Sequence, residues 1–248
     1  MSASRPPRTS QRMSGQRQQR QQRQQRQQRQ RIRLSVDGHS VEVRAGATLL
    51  DAANAAGADV PTLCHLPGHP PRTVCRLCLV RIAATGRVVP SCITLAAEGM
   101  DLVTNDPAIA AARQVLAEFM LAEHGPCSLG PAGCDVEALA ARLGVTGTRF
   151  QAPPQPPDRS LSSDYVGVDF SLCIHCDRCT LACDDRFVIT RTGRGATVTL
   201  GFDTGLLIDS TTCVACGNCV AVCPSGALDT PAPMWKTIRR HATSLMKS

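Results

Sequence analysis

Alternation of apolar and polar positions sets in at Arg31. In "RIRLSVDGHSVEVRAG" two runs of period two flank Asp37-Gly38, a dipeptide suited to a two-residue hairpin turn. The period then lengthens. "TLLDAANAAG" has helical spacing, with Thr48 placed to cap and Gly57 placed to stop it. "CLVRIA", "RVVPSC" and "DLVT" read as short strands, so residues 31–105 predict a mixed sheet crossed by one helix. "DPAIAAARQVLAEFMLAEHG" predicts a longer helix, with Asp106 as cap, Pro107 in the first turn and Gly125 at the end. Its expected apolar stripe is Ile109, Val115, Leu116, Phe119 and Met120. "CDVEALAARLG" predicts a second, shorter helix, and the two fill a helical segment over 106–150. The proline-rich, polar 151–163 reads as a linker, 164–229 as a cysteine-rich unit and 230–248 as a tail.

Charge changes the picture only at one end. The formal +7 of this 248-residue chain comes from residues 1–33, which hold ten arginines and no acid; the remainder has 17 basic against 20 acidic residues. The Arg/Gln repeat of the first 30 residues has period three and so gives a helix no apolar face. It predicts a disordered, solvated tail. A nucleic-acid role lacks support, because no aromatic residues interleave the arginines as stacking platforms. No apolar run reaches the length of a membrane span, and no secretory h-region opens the chain. The expected compartment is therefore the reducing cytoplasm, where lasting disulfides are rare.

Fourteen cysteines then become the main chemistry. "CIHCDRCTLAC" (Cys173, Cys176, Cys179, Cys183) and "CVACGNCVAVCP" (Cys213, Cys216, Cys219, Cys223) carry the same spacing twice. Structural zinc needs two Cys-x2-Cys pairs and leaves a third cysteine at that spacing superfluous. Disulfides suit neither the compartment nor the crowding. A cubane [4Fe–4S] cluster needs four converging thiolates. In two-run ferredoxins the fourth cysteine of each run serves the other cluster. By that rule Cys173, Cys176, Cys179 and Cys223 hold one cluster, and Cys213, Cys216, Cys219 and Cys183 the other.

A second constellation lies upstream in "CHLPGHPPRTVCRLCLVRIAATGRVVPSC". Cys64, Cys75, Cys78 and Cys92 keep the close pair and distant fourth cysteine of plant-type [2Fe–2S] sites, with a longer first gap. This stretch resembles the N-terminal [2Fe–2S] module shared by the large iron–sulfur subunit of NADH:quinone oxidoreductase, NAD-linked formate dehydrogenases, iron-only hydrogenases and the diaphorase small subunit of NAD-reducing hydrogenases. The order of modules over residues 31–229 matches as well. The resemblance implies an α+β chain: a β-grasp [2Fe–2S] ferredoxin domain, a short helical segment, then a bacterial-type two-[4Fe–4S] ferredoxin domain.

That family carries a further His-x3-Cys-x2-Cys-x5-Cys segment for another [4Fe–4S] cluster. "EHGPCSLGPAGC" offers His124, Cys127 and Cys134, with Gly130 where the middle cysteine belongs and with shorter spacings. Three candidate ligands thus stand for four corners, and a vestigial helix-capping turn is the competing expectation. His65, His69 and His175 adjoin cysteines as tuning or surface residues. No Walker loop and no Gly-x-Gly-x-x-Gly after a strand is present, so no nucleotide, flavin or molybdenum site is expected. The chain reads as an electron conduit, not a catalyst. The long family members continue into a catalytic domain where this sequence stops. The resemblance therefore implies separate partners: a flavin/NAD(P)-binding subunit and a molybdopterin or hydrogenase subunit. Trp235, Ile238 and Leu245 of the tail are candidates for docking one. A free-standing polyferredoxin, and a metal-stabilised nucleic-acid adaptor, are the alternatives.

Overall fold

The computed structural model describes residues 30–125, 127, 133–151, 162–183, 188–202 and 212–230. The Arg/Gln tail of residues 1–29, most of the expected linker and the tail beyond residue 230 lie outside the described residues. Two compact units divide the chain: residues up to 60 together with 79–106, and residues 61–78 together with those from 107 onward.

The first unit is a five-stranded sheet. Strands β1 (Arg31–Val36) and β2 (His39–Arg44) pair antiparallel from Arg31↔Arg44 to Val36↔His39. The turn between them has positive φ at both Asp37 (49°) and Gly38 (81°), the requirement that makes this dipeptide a hairpin signal. β3 (Leu79–Ile82), β4 (Val88–Pro90) and β5 (Asp101–Val103) complete the order β2-β1-β5-β3-β4. β5 lies parallel to β1 and antiparallel to β3. Helix α1 (Leu49–Ala55) starts in a full capping box: the Thr48 hydroxyl accepts from the Asp51 amide at 3.1 Å, and the Asp51 carboxylate accepts from the Thr48 amide at 2.7 Å. Leu49, Leu50, Ala52 and Ala53 are buried, as are Leu34, Val36, Val80 and Leu102 on the strands. This is the expected β-grasp arrangement of a mixed sheet crossed by one helix.

Asp37 does more than permit the turn. Its carboxylate accepts from the Thr104 amide at 2.8 Å and from the Thr104 hydroxyl at 2.5 Å, tying the hairpin to the end of β5. Asp37→Ala strips the partner from a buried Thr104 and should cost about 1–3 kcal/mol, measured as a lower denaturant midpoint at unchanged slope.

In the second unit, helix α2 (Pro107–Glu123) buries Ile109, Arg113, Ala117 and Met120. The apolar stripe therefore differs from the expected one. Phe119 faces outward and stacks on Phe150 with ring centroids 4.0 Å apart, and Val115 and Leu116 are only half-buried. Arg113 takes an inward place because its guanidinium Nε donates to the Leu77 carbonyl at 3.1 Å. The Asp106 carboxylate accepts from Arg81 at 2.6 Å within the first unit. Helix α3 (Asp135–Arg142) follows, and buries Val136, Leu139 and Ala140.

From residue 162 onward, helical turns and short strands alternate. β6 (Gly167–Val168) pairs with β9 (Leu228–Asp229), which closes the ends of the cysteine-rich unit on each other. Between them lie α4 (Arg178–Ala182), the hairpin of β7 (Ile189–Thr192) and β8 (Thr199–Phe202), and α5 (Asn218–Ala221).

Candidate metal centres

The repeat in the sequence is also a repeat in backbone conformation. His175 (φ 52°) and Ala215 (φ 53°) occupy matching places before the second cysteine of each run. Asp177 (φ 64°) and Gly217 (φ 75°) occupy matching places after it. Left-handed conformation is costly for His, Asp and Ala, so the surroundings must hold it. Arg191 does this in the first run: its guanidinium donates to the Asp177 carboxylate at 3.0 Å and to the His175 carbonyl. Each left-handed turn leads directly into α4 or α5, which carries the third cysteine.

Charge interactions among the thiols cross between the two runs, and Cys219 raises Cys179. Cys223 lies close enough to raise Cys173, Cys176 and Cys179, although it belongs to the other run. Cys219 is raised by Cys183, Cys213 and Cys216. Burial is the larger cause in every case; it lifts Cys173 and Cys219 to about 11 and Cys176 to about 12. Backbone amides of His175, Arg178 and Val220 offset part of this at Cys173, Cys176 and Cys219; Leu228 donates to the Cys223 sulfur and Ala215 to the Cys213 sulfur, both at 3.4 Å. Cys213 and Cys216 are exposed, whereas Cys173, Cys179 and Cys219 are buried in one apolar cluster with Val166, Val168, Leu200 and Phe202.

The upstream loop brings Cys64, Cys75 and Cys78 into the second unit, all buried. It turns through positive φ at Thr73 (59°) and Arg76 (56°), on either side of Cys75. A hydrogen bond from the Cys64 thiol lowers Cys75, against burial and with help from the amides of Leu63 and Leu77. Cys92, also buried, follows β4 in the first unit.

The third expected group closes tightly. His124, Cys127 and Cys134 bring one donor atom each within 4.8 Å of one another, and the Cys134 sulfur lies 3.3 Å from His124 Nε2. Burial raises the Cys134 thiol. Of the neighbouring histidines, His69 Nδ1 lies 3.2 Å from the Pro67 carbonyl and His175 Nδ1 lies 3.9 Å from Glu123. His65 Nδ1 is buried with no hydrogen-bond partner among the described residues. Neither Arg113 nor Arg191 was legible as a supporting residue. A basic side chain inside a helical pattern, or 14 residues beyond the turn it steadies, has no local signature.

The donor set fits iron–sulfur clusters. Cys64, Cys173, Cys176, Cys179 and Cys219 are all raised, with burial opposing their ionisation. Only a bound cation makes a set of thiolates stable there. Comparison with known proteins agrees. Residues 29–107 match a 2Fe-2S iron-sulfur cluster binding domain, and residues 172–227 match a 4Fe-4S dicluster domain. The chain is 36% identical over 206 residues to a subunit of NADH-quinone oxidoreductase from Rhizobium meliloti, covering 79% of this chain and 24% of that protein. It is 30% identical over 222 residues to the HndD subunit of the NADP-reducing hydrogenase of Solidesulfovibrio fructosivorans, covering 85% and 38%. It thus spans roughly a quarter to two fifths of these curated relatives. A chain of the crystal structure of NAD+-reducing [NiFe]-hydrogenase in the H2-reduced state superposes with a TM-score of 0.72 at 30% identity, covering 81% of this chain and 88% of that one. Those relatives are subunits of larger assemblies, and among the described residues no helix is long and apolar enough to cross a membrane. One [2Fe–2S] domain followed by a two-[4Fe–4S] domain, with these relatives, makes this chain a member of the iron–sulfur electron-transfer subunit family of NADH dehydrogenases and NAD(P)-reducing hydrogenases.

Proposed function

We propose that this chain is the relay subunit of a cytoplasmic NAD(P)-linked oxidoreductase complex, passing single electrons between a flavin/NAD(P)-binding subunit and a catalytic subunit of molybdopterin or hydrogenase type. The proposed ligands are Cys64, Cys75, Cys78 and Cys92 for a [2Fe–2S] cluster. Cys173, Cys176, Cys179 and Cys223 serve one [4Fe–4S] cluster, and Cys183, Cys213, Cys216 and Cys219 the other. Bound clusters supply one-electron steps with little ligand movement. The chain's own contribution is to hold the thiolates, exclude water and aim amide dipoles at sulfur, which sets potential.

One observation carries the reading. Cys64 and Cys75 of the upstream loop share an apolar cluster with Ile174, and Cys176 packs against it. Cysteines proposed for two different clusters thus meet at one apolar cluster, which supports carriers held at a fixed separation. A conduit needs that, and a set of independent metal staples does not. The relay is tested by anaerobic co-purification of the natively expressed chain, followed by NADH addition. A flavoprotein should accompany it, and NADH should reduce its clusters within the complex. A chain that purifies alone and accepts electrons only from unrelated reductases would refute the assignment.

A further inference from the structure

The turn between α2 and α3 gathers donors for a different kind of metal. Among the described residues, His124, Cys127 and Cys134 are the one group of three metal-ligating side chains whose donor atoms all fall within 4.8 Å of one another. The eight cysteines of the two runs are all described as well, and no three of them close to that span. The comparison is internal to one molecule. Where cubanes are proposed, no such tight group of three is found; at the end of α2 and the start of α3 one is.

The small span suits one ion. A tetrahedral Zn2+ with bonds of about 2.3 Å to sulfur and about 2.0 Å to imidazole nitrogen sets ligand atoms roughly 3.5–3.8 Å apart. The Cys134 sulfur and His124 Nε2 stand 3.3 Å apart and all three donor atoms lie within 4.8 Å, so small side-chain rotations close them on one ion. The site is also sheltered: His124 and Cys134 are 7% and 1% exposed, and Cys127 is half-buried. Donor softness agrees, since two thiolates and an imidazole select zinc over magnesium or calcium.

The surrounding bonds give such an ion a task. The Gly125 amide donates to the Ser171 carbonyl at 2.8 Å, and the Asp135 amide donates to the Pro224 carbonyl at 2.8 Å. Gly125 is required at its place, because a Cβ there would stand 2.9 Å from the Ser171 oxygen. Both ends of the turn are thereby strapped to the cysteine-rich unit, one beside Cys173 and the other beside Cys223. We propose that His124, Cys127 and Cys134 bind a single Zn2+ with water as the fourth ligand, joining the end of α2 to the start of α3 in place of a third cubane. Binding transfers one proton from each of the two thiols to solvent, with no change in oxidation state. This inference does not depend on the relay assignment.

The test is metal analysis with zinc-edge X-ray absorption on the anaerobically purified full chain. The expected result is about one zinc per chain beside about ten irons, with two sulfur neighbours near 2.3 Å and nitrogen or oxygen near 2.0 Å. Cys127→Ser, at a half-buried position, should lower retained zinc to about a tenth or less while iron stays unchanged. About fourteen irons and no zinc would mean a third cubane and overturn the proposal. Zinc bound only by oxygen and nitrogen, or neither extra metal, would overturn it as well.

Discussion

Cys223→Ser should abolish the cluster of the first cysteine run and leave the cluster of its own run intact. The basis is the placement of Cys223 beside Cys173, Cys176 and Cys179. Iron should fall from about ten to about six per chain, with one of two [4Fe–4S] signals lost on reduction. Cys183→Ser should do the reverse, because Cys183 acts on Cys219. The informative comparison is spectroscopic. Cys223→Ser should match Cys176→Ser and differ from Cys216→Ser. A match between Cys223→Ser and Cys216→Ser would instead assign each run its own cluster and refute the exchanged sets. Serine is nearly isosteric with cysteine, so packing changes little and the loss reports on ligation.

The second large effect is on folding. Of the eleven buried residues in the apolar cluster of the cysteine-rich unit, three are Cys173, Cys179 and Cys219, and Cys183 and Cys223 pack against it. The described secondary structure around it is two-stranded sheets and helices of four or five residues. Elements so short are marginal in water. Their stability must come from the bound clusters, as in other small metal-dependent domains. Anaerobic removal of iron with a chelator should therefore unfold β6, β7, β8 and β9 with α4 and α5 while the five-stranded sheet persists. Hydrogen exchange resolves the two units. Amides of β6, β7, β8 and β9 should lose protection, whereas those of β1, β2 and β5 should keep it. Equal protection in both units after complete iron removal would show that the polypeptide folds without its metals.

Local chemistry made much of this legible in the sequence. The Asp37-Gly38 turn, the Thr48 cap and the strand pattern of 31–105 follow from nearest neighbours and periodicity, which act over a few residues. The proposed sets of twelve cysteines could be written down from the chain because ligand spacing on a cluster is itself a local rule. What lay out of reach depends on contacts between distant segments. Residues 61–78 interrupt the β-grasp sequence yet pack with the second unit, where Cys64, Cys75 and Leu77 meet Met120 and Ile174. Arg113 occupies a place on α2 that periodicity gives to an apolar residue, since the Leu77 carbonyl needs a donor there. Phe119 turns outward because Phe150 waits at a separation of 31 residues. The tight closure of His124, Cys127 and Cys134 could not be read from a motif with one cysteine missing and shortened gaps. It depends on long-range contacts: Met120 of α2 packs in one cluster with Cys134, Val136 and Leu139, and Gly125 and Asp135 bond to Ser171 and Pro224.

The central claim is that these sulfurs hold inorganic clusters that pass electrons one at a time. The most direct measurement is iron and acid-labile sulfide on the anaerobically purified chain, combined with electron paramagnetic resonance during stepwise reduction. About ten irons and a matching amount of sulfide are expected, with one [2Fe–2S] and two [4Fe–4S] signals appearing in turn. Zinc in the twelve-cysteine sites, no acid-labile sulfide and no paramagnetic signal on reduction would contradict it.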